Sequence, residues 1–580
     1  SSHDSKTLYY GGNYLFKSTN RGDSWTRLGP DLTTGVDRDK LPILGKVPDK
    51  DTLSRHDGVQ NYPCATTVAE SPVRAGVLWV GTDDGNLQVT RDDGKTWTNV
   101  VGKVPGLKKG AYVAKVEASH RDEGTAYVAF DNHRADDFAI YLYMTTDFGL
   151  TWKRITDGIP EEAGTLHVVR EDPRNPNLLF AGTEFGLFVS FDRGAKWEKM
   201  RNGLPTVPVD DIAIHPRDHD LILGTHGRSI WIMDDITALE QMSDNVLSAD
   251  LHLFDMRSGT SFHIANFKGF TGTREFIAAN PPYGVVIDYY LKAKLEGRNP
   301  VKITVTDKAG NKIRELTGPG DAGINRVNWD LRYDSPAQPP RVNRPGGTAQ
   351  PGENAEEEVA AGGGRGGGGG GGGGPFGFAN RGPLVDPGEY NVAIAAAGKN
   401  ESKSVAVEED PRITLAATDR AKRRQALTKL YGMARDAETG RRKIVAIRTS
   451  LTTLTDSWKR PGASQPPEPV KKAADNLLAQ VKEIAGLFEV DRQGGLGSAG
   501  PPLTFTPPPL NQKIGRLMSS IDGYAAAPTD RQLTDIDLAS TELGPALASV
   551  NKLTNEDVPR LNKMMADAGV PYVSAGPGGQ

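Results

Sequence analysis

TTDFGLTW, residues 145–152, is the stretch on which the fold turns. Its pattern is a hydroxyl residue, a variable one, Asp, a variable one, Gly, two variable ones and Trp. The pattern recurs as STNRGDSW (18–25), TRDDGKTW (90–97) and SFDRGAKW (190–197). Asp92, Asp147 and Asp192 hold the third position, with Asn20 in the first copy. An Asp or Asn there can bond its own backbone two residues on and close a tight turn. Gly22, Gly94, Gly149 and Gly194 supply the positive φ that such a turn needs. The hydroxyl bonds the turn from its other side. Trp25, Trp97, Trp152 and Trp197 start the next strand and are expected to fill the gap between neighbouring units. Four copies sharing Gly and Trp constitute a repeat, the first thing to seek in a chain of this length.

Each box sits in a hairpin. Apolar strands precede the boxes in VLWVGTDDGNLQVT, TAYVAFDNHRADDFAIYLYMT and LLFAGTEFGLFVS, with the alternation of half-buried antiparallel strands. A fifth unit, LILGTHGRSIWIMDD (221–235), has the strand and turn without the box. The box tryptophans are spaced by 72, 55 and 45 residues. The shortest spacing approximates one four-stranded propeller blade, and the longer ones imply insertions at about 31–65 and 131–140. Residues 1–240 are therefore expected to be β-propeller blades. Five blades, the first incomplete, would leave apolar sheet faces and strand edges open. The expectation is that preceding sequence of the same protein, or another subunit, completes the ring.

The four boxes, together with YPCATTVAESP, DNHRADDFAIYLYMTTDFGLTW, VVREDPRNPNLLFAGTEFGLFVSFDRGAKW and LILGTHGRSIWIMDDITALEQM, make residues 1–240 resemble sortilin-type and BNR/Asp-box propeller proteins. The similarity is to the long exported bacterial proteins often labelled "glycosyl hydrolase" or "sortilin N-terminal domain-containing". This chain would be their C-terminal portion. The resemblance implies a propeller and export to the periplasm, cell envelope or medium. It implies no reaction, because the box is a fold device far from any chemistry. Sialidases of this fold use an arginine triad and a Tyr–Glu pair, and no such set is assigned here.

Beyond the blades, GVVIDYYLKAK, VKITVTDKAGNKIRELTG, INRVNWDLRYD and GEYNVAIAAAGKNESKSVAVEEDP alternate apolar and polar residues. They suggest an immunoglobulin-like β domain over 250–410. A Gly-rich interruption at 336–382, with Gly366 to Gly374 unbroken, cannot bury a core and is expected to be a flexible loop. From about 416 the apolar period turns helical, through Leu427, Leu430, Ile444, Ile447, Leu451 and Trp458. Further helical patterns cover 469–489, 510–526, 530–553 and 556–568. Thr529 and Gln532 offer a capping box. The reading is an α-helical bundle over 411–570, then a tail at 571–580. The fold class expected is mainly β with an α tail.

Of the 580 residues 37% are hydrophobic, and the 67 Gly and 39 Pro call for many turns. A formal charge of −4 gives no chain-wide reason to expect nucleic acid. The single cysteine, Cys64, excludes an internal disulfide. No stretch approaches the roughly 18 apolar residues of a membrane helix. Residues 411–460 hold 13 Lys/Arg against 4 Asp/Glu. They form either a solvated helix face or a dock for an acidic surface, of the same protein or of a polyanion.

The box aspartates read as structural. Candidate binding loops are the cluster Asp131, His133, Arg134, Asp136 and Asp137, the equivalent turns with Asp83, Asp84 and Glu184, and His226 with Arg228. Loops on rigid scaffolds carry function, although solvated or salt-bridged turns account for the same residues. Carboxylates on different blades could perform glycosidase chemistry if about 5–9.5 Å apart. No HExxH, CxxC, GxSxG or P-loop is present, and neither a cofactor nor a metal site is expected. Two functions follow. One is a cell-envelope binding or scaffold protein with the propeller as the surface for a protein or glycan ligand. The other is a glycoside hydrolase of extracellular polysaccharide.

Overall fold

The computed structural model describes residues 1–573 apart from 44, 54, 56, 58–60, 202, 264–277, 279, 298–299, 337–380, 461–464, 490–507 and 572. The chain divides into two compact units, Ser1–Ser248 and Ala249–Gln580. It is mainly β with a helical tail.

The first unit holds five blades of antiparallel strands. Blade one has β1 (Leu8–Gly11), β2 (Leu15–Ser18) and β3 (Thr26–Leu28). Blade two has β4 (Ala65–Glu70), β5 (Leu78–Thr82), β6 (Leu87–Thr90) and β7 (Thr98–Asn99). Blade three has β8 (Tyr112–Ala118), β9 (Ala126–Asp131), β10 (Tyr141–Thr145) and β11 (Lys153–Arg154). Blade four has β12 (Leu166–Glu171), β13 (Leu179–Thr183), β14 (Gly186–Ser190) and β15 (Glu198–Met200). Blade five has β16 (Val209–Ile214), β17 (Leu221–Thr225) and β18 (Ile230–Met233). The first strands of blades two to five pack successively, β4 on β8, β8 on β12 and β12 on β16. These strands form the inner wall.

Sheet packing explains why the second strands are apolar throughout. In β5 Leu78 and Val80 enter the core shared with blade one, and Trp79 enters the core shared with blade three. Both faces are covered, so all five residues are buried. Burying a side chain of this size contributes roughly 1.5–3 kcal/mol. The terminal blades differ. Leu8 and Tyr10 of β1 and Ile230 and Ile232 of β18 are exposed.

The boxes are the turns before the last strand of blades one to four. Asp147 accepts bonds from the Thr151 amide (2.9 Å), the Thr151 hydroxyl (2.6 Å) and the Thr145 hydroxyl (2.9 Å). The Gly149 amide bonds the Thr145 hydroxyl at 2.9 Å. The backbone bond of the box Asp thus spans four residues, not the two expected from an ordinary Asx turn. Two successive left-handed residues, Phe148 (φ 58) and Gly149 (φ 81), lengthen the loop. Asp92 makes the same bonds to Thr96 and Thr90. The amide and hydroxyl of Thr96 hold its carboxyl down to about 2. The tryptophans precede the fourth strands by one residue, and their burial varies. Trp197 is 2% exposed, but Trp25 is 43% exposed and fills no gap within the unit.

Asp147→Ala is expected to lower stability by about 1–3 kcal/mol, the usual cost of orphaning such donors. Urea denaturation measures it. A stable variant that has lost one specific activity would contradict the structural role.

The second unit begins with a sandwich. One sheet orders β19 (Leu251–Leu253), β21 (Val285–Leu291) and β24 (Gly323–Trp329). The other contains β20 (Gly259–Ser261), β22 (Val301–Asp307), β23 (Lys312–Gly318), β25 (Gly388–Ala396) and β26 (Lys399–Glu409). Both sheets supply one core around Trp329, Tyr289 and Ile303. The Gly-rich stretch read as a loop lies almost wholly outside the described residues. Helices follow at Ala417–Trp458, Glu468–Phe488, Leu510–Asp522, Asp530–Lys552 and Val558–Asp567. Their core gathers Leu430, Ile447, Val481, Ile514 and Leu543. Thr529 and Gln532 make the reciprocal capping box. The basic charge of the long helix is largely met within the unit. Arg441 and Arg442 pair with Glu438, Arg448 with Glu489, and Arg420 with Glu409.

Candidate functional site

The turn between second and third strands and the approach to the first strand meet at one end of each blade. In blade two Asp83 accepts the Cys64 amide at 2.8 Å, with the Cys64 sulfur at 3.4 Å. Burial raises the Asp83 carboxyl. Burial, then the charge of Asp83, pushes the Cys64 thiol up to about 11, so it stays protonated and unreactive at neutral pH. Asp84 takes the amide and hydroxyl of Thr34 at 2.7 and 2.6 Å and the Thr82 hydroxyl at 2.5 Å.

Blade three carries the cluster singled out in sequence. Asp131 is buried and accepts the His133 amide at 3.0 Å, and both its oxygens lie 2.7 Å from His133 Nδ1. Arg134 lies over the Tyr112 ring, 4.5 Å from its centroid, and is 3.9 Å from Asp131. Asp136 is exposed in a left-handed conformation, φ 57. Asp137 is buried and bonds Lys108, Asn132 and Tyr141 at 2.9, 2.8 and 2.8 Å. The Lys108 bond, then the Asn132 bond, holds its carboxyl well below the usual range. In blade four Glu184 is 2.9 Å from His167. In blade five exposed His226 is 3.8 Å from Asp210, and Arg228 is exposed.

The candidate residues thus share one end of the blades. Most of the carboxylates are fixed within their own blade or by the connection leading into it. What this end presents outward is Arg134, Asp136, His226 and Arg228, with the aromatic rings of Phe138 and Phe185 exposed on the turns of blades three and four.

A second cluster, which the sequence reading missed, lies on the inner strands. Arg170 of β12 bonds Glu117 of β8 at 2.7 Å and Asp211 of β16 at 3.2 Å. Lys115 of β8 reaches Asp211 at 3.1 Å, past the intervening blade. His120 stands 3.7 Å from Glu117. Glu70, Lys115, Glu117, His120 and Arg170 line a cavity of about 230 Å³. The signal in the sequence was a charged residue within strands that are otherwise apolar.

Burial pushes the Glu117 carboxyl up to about 7, against the opposing pull of Arg170 and Lys115. Its ordinary value is 4.5, so the folded state favours the protonated form. Stability is therefore expected to fall as pH rises from about 4.5 to about 7. Urea midpoints across that range check this. Glu117→Gln should flatten the dependence, and an unchanged slope would refute the assignment. Among the described residues no group of three or more His, Cys, Asp and Glu side chains is arranged to hold a metal ion. No described helix is long and apolar enough to cross a membrane.

No family model matches the chain. Over 129 residues it is 32% identical to the oligoxyloglucan-reducing end-specific xyloglucanase of Emericella nidulans, covering 22% of this chain and 15% of that protein. Over 178 residues it is 27% identical to vacuolar protein sorting/targeting protein 10 of Colletotrichum graminicola, covering 30% of this chain and 12% of that protein. Among solved structures, the GH74 xyloglucanase of Xanthomonas campestris gives a TM-score of 0.30 at 20% identity, over 40% of this chain and 35% of that one. PorZ, a surface component of the type-IX secretion system of Porphyromonas gingivalis, gives 0.29 at 12% identity, over 70% and 50%. The chain spans well under two thirds of the length of the curated relatives it matches.

Proposed function

We propose that the chain is the propeller-bearing part of an exported cell-envelope protein that binds a protein or glycan through the turn end of its blades. The observation that carries this reading is the division of labour at that end. Asp83, Asp84, Asp131 and Asp137 are tied inward by Cys64, Thr34, His133 and Lys108, and Glu184 is paired with His167. Arg134, Arg228, Phe138 and Phe185 are left exposed. Arginine and aromatic side chains are the anchors of recognition surfaces, while tethered carboxylates are poorly placed to exchange protons with a substrate.

The second reading is a glycoside hydrolase. One feature favours it: Glu117, in a cavity with His120 and Arg170, is held up to about 7, where a general acid works. Xyloglucan oligosaccharides, the substrate class named for a partly similar protein, are the probe. The binding reading expects no new reducing ends. It also expects weaker retention on an immobilised polysaccharide or protein ligand after Phe138→Ser or Arg134→Ala. Release of reducing ends that disappears in folded Glu117→Gln would establish the hydrolase instead. Fractionation of the source cells tests export, and recovery in the cytoplasm would overturn it.

A further inference from the structure

Three of the four contacts between successive blades, all but that of blade four with blade five, use one device. A β-carbon added at Gly94 would lie 2.8 Å from Leu28 of the preceding blade. At Gly149 it would lie 2.9 Å from Val100, and at Gly194 2.7 Å from Ile155. Leu28, Val100 and Ile155 each stand three residues after a box tryptophan. An aliphatic side chain on one blade therefore seats on the box glycine of the next. Gly22 is the exception. Its nearest neighbours, 3.7 and 3.9 Å away, are Trp25 and Leu8 of its own blade.

The rest of that face agrees. Leu8 and Tyr10 occupy in β1 the positions that Leu78 and Val80 hold in β5, where both are buried against the preceding blade. In blade one Tyr10 is 69% exposed and stacks edgewise on Trp25 at 6.1 Å. β1 is moreover an edge strand, whereas β5, β9 and β13 each pair with an inner strand. The turn that joins inner to second strand is already formed in blade one. The Arg21 amide bonds Lys6 O at 2.9 Å, as Asp93, Phe148 and Arg193 bond Gly76, Gly124 and Asn177 at the same distance.

We propose that this face, Leu8, Tyr10, Gly22 and Trp25 with the free edge of β1, is the seat of a further Asp-box blade. That blade places the aliphatic residue three after its box tryptophan on Gly22 and is followed by an inner strand that pairs with β1. The occupant is not a second copy. Blade five has neither a box nor a fourth strand, and so has no residue to set on Gly22. The inference is independent of what the turn end binds.

The chain's own sequence supplies the probe. Residues 65–118, running from β4 through a box to the inner strand β8, are duplicated ahead of Ser1. Hydrogen exchange of the Tyr9 and Gly11 amides, which face away from β2, should slow at least tenfold in this fusion, with β5 unchanged. Tyr10→Asp should lower the urea midpoint of the fusion and leave that of the unmodified chain in place. A second fusion, with residues 112–171, guards against misfolding of the first. Failure of both to protect β1 overturns the proposal. So does protection of the Tyr9 and Gly11 amides in the unmodified chain, or a dimer of that chain dissociated by Tyr10→Asp, which would assign the face to a second copy.

Discussion

Gly149→Ala should cost about 2–5 kcal/mol, while Gly22→Ala, at the same position of the first box, should cost only about 1–2. Both glycines are left-handed, with φ of 81 and 97. Forcing an L-residue into that region costs roughly 1–2 kcal/mol wherever it occurs. The remainder is packing. A methyl at Gly149 meets three carbons of Val100 at 2.9–3.0 Å, and Val100 is itself buried and held by the Leu87 carbonyl through its amide at 2.8 Å. It has little room to retreat, and overpacking of this kind typically costs about 1–3 kcal/mol. At Gly22 nothing approaches within 3.7 Å. Urea denaturation of the two variants separates turn strain from inter-blade packing. Equal losses would mean that the box glycine serves only its own turn.

That comparison also shows what was legible in the sequence and what was not. The box is local, so eight residues were enough to place the turn, its glycine and the strands on either side. The repeat then placed the blades, since apolar strands such as LWVGT and LFAGT require cover on both faces. The span of the Asp bond was misjudged because it depends on two consecutive left-handed residues, and only the second is a glycine. Phe148, Arg193 and Arg21 carry positive φ with no marker in their side chains.

The candidate site was legible in position but not in state. Asp83, Asp131, Glu184 and His226 were placed on equivalent turns by the repeat, and they do occupy one end of the blades. Whether a carboxylate there is free depends on partners such as Cys64, Lys108 and His167, which lie 17–29 residues away along the chain and reach the turn only after the first strand has paired. The inner cluster was hidden for a stronger reason. Arg170, Glu117 and Asp211 belong to three blades, and their contact needs the curvature of the whole arc. No window of sequence contains it.

In the second unit, Asp522→Ala is expected to cost about 3–5 kcal/mol, the usual penalty for removing one partner from a buried ionic group. Asp522 ends the helix Leu510–Asp522 and is 6% exposed. One oxygen lies 2.7 Å from Arg332 of the sandwich. The other accepts the Leu384 amide at 3.0 Å and stands 3.4 Å from Arg423 of the long helix. Arg423 also bonds the carbonyls of Ile521, Asp522 and Tyr524, so it cannot swing to solvent when the carboxylate is removed. Two guanidinium groups would then face each other across a buried space with no anion between them. Asn in place of Asp keeps the bond to the Leu384 amide and loses the charge, and should fall between Ala and the native residue. The site joins sandwich to bundle, so the loss should also appear as two separated unfolding transitions. A single cooperative transition with an unshifted midpoint in Asp522→Ala would show that apolar packing alone holds the bundle to the sandwich.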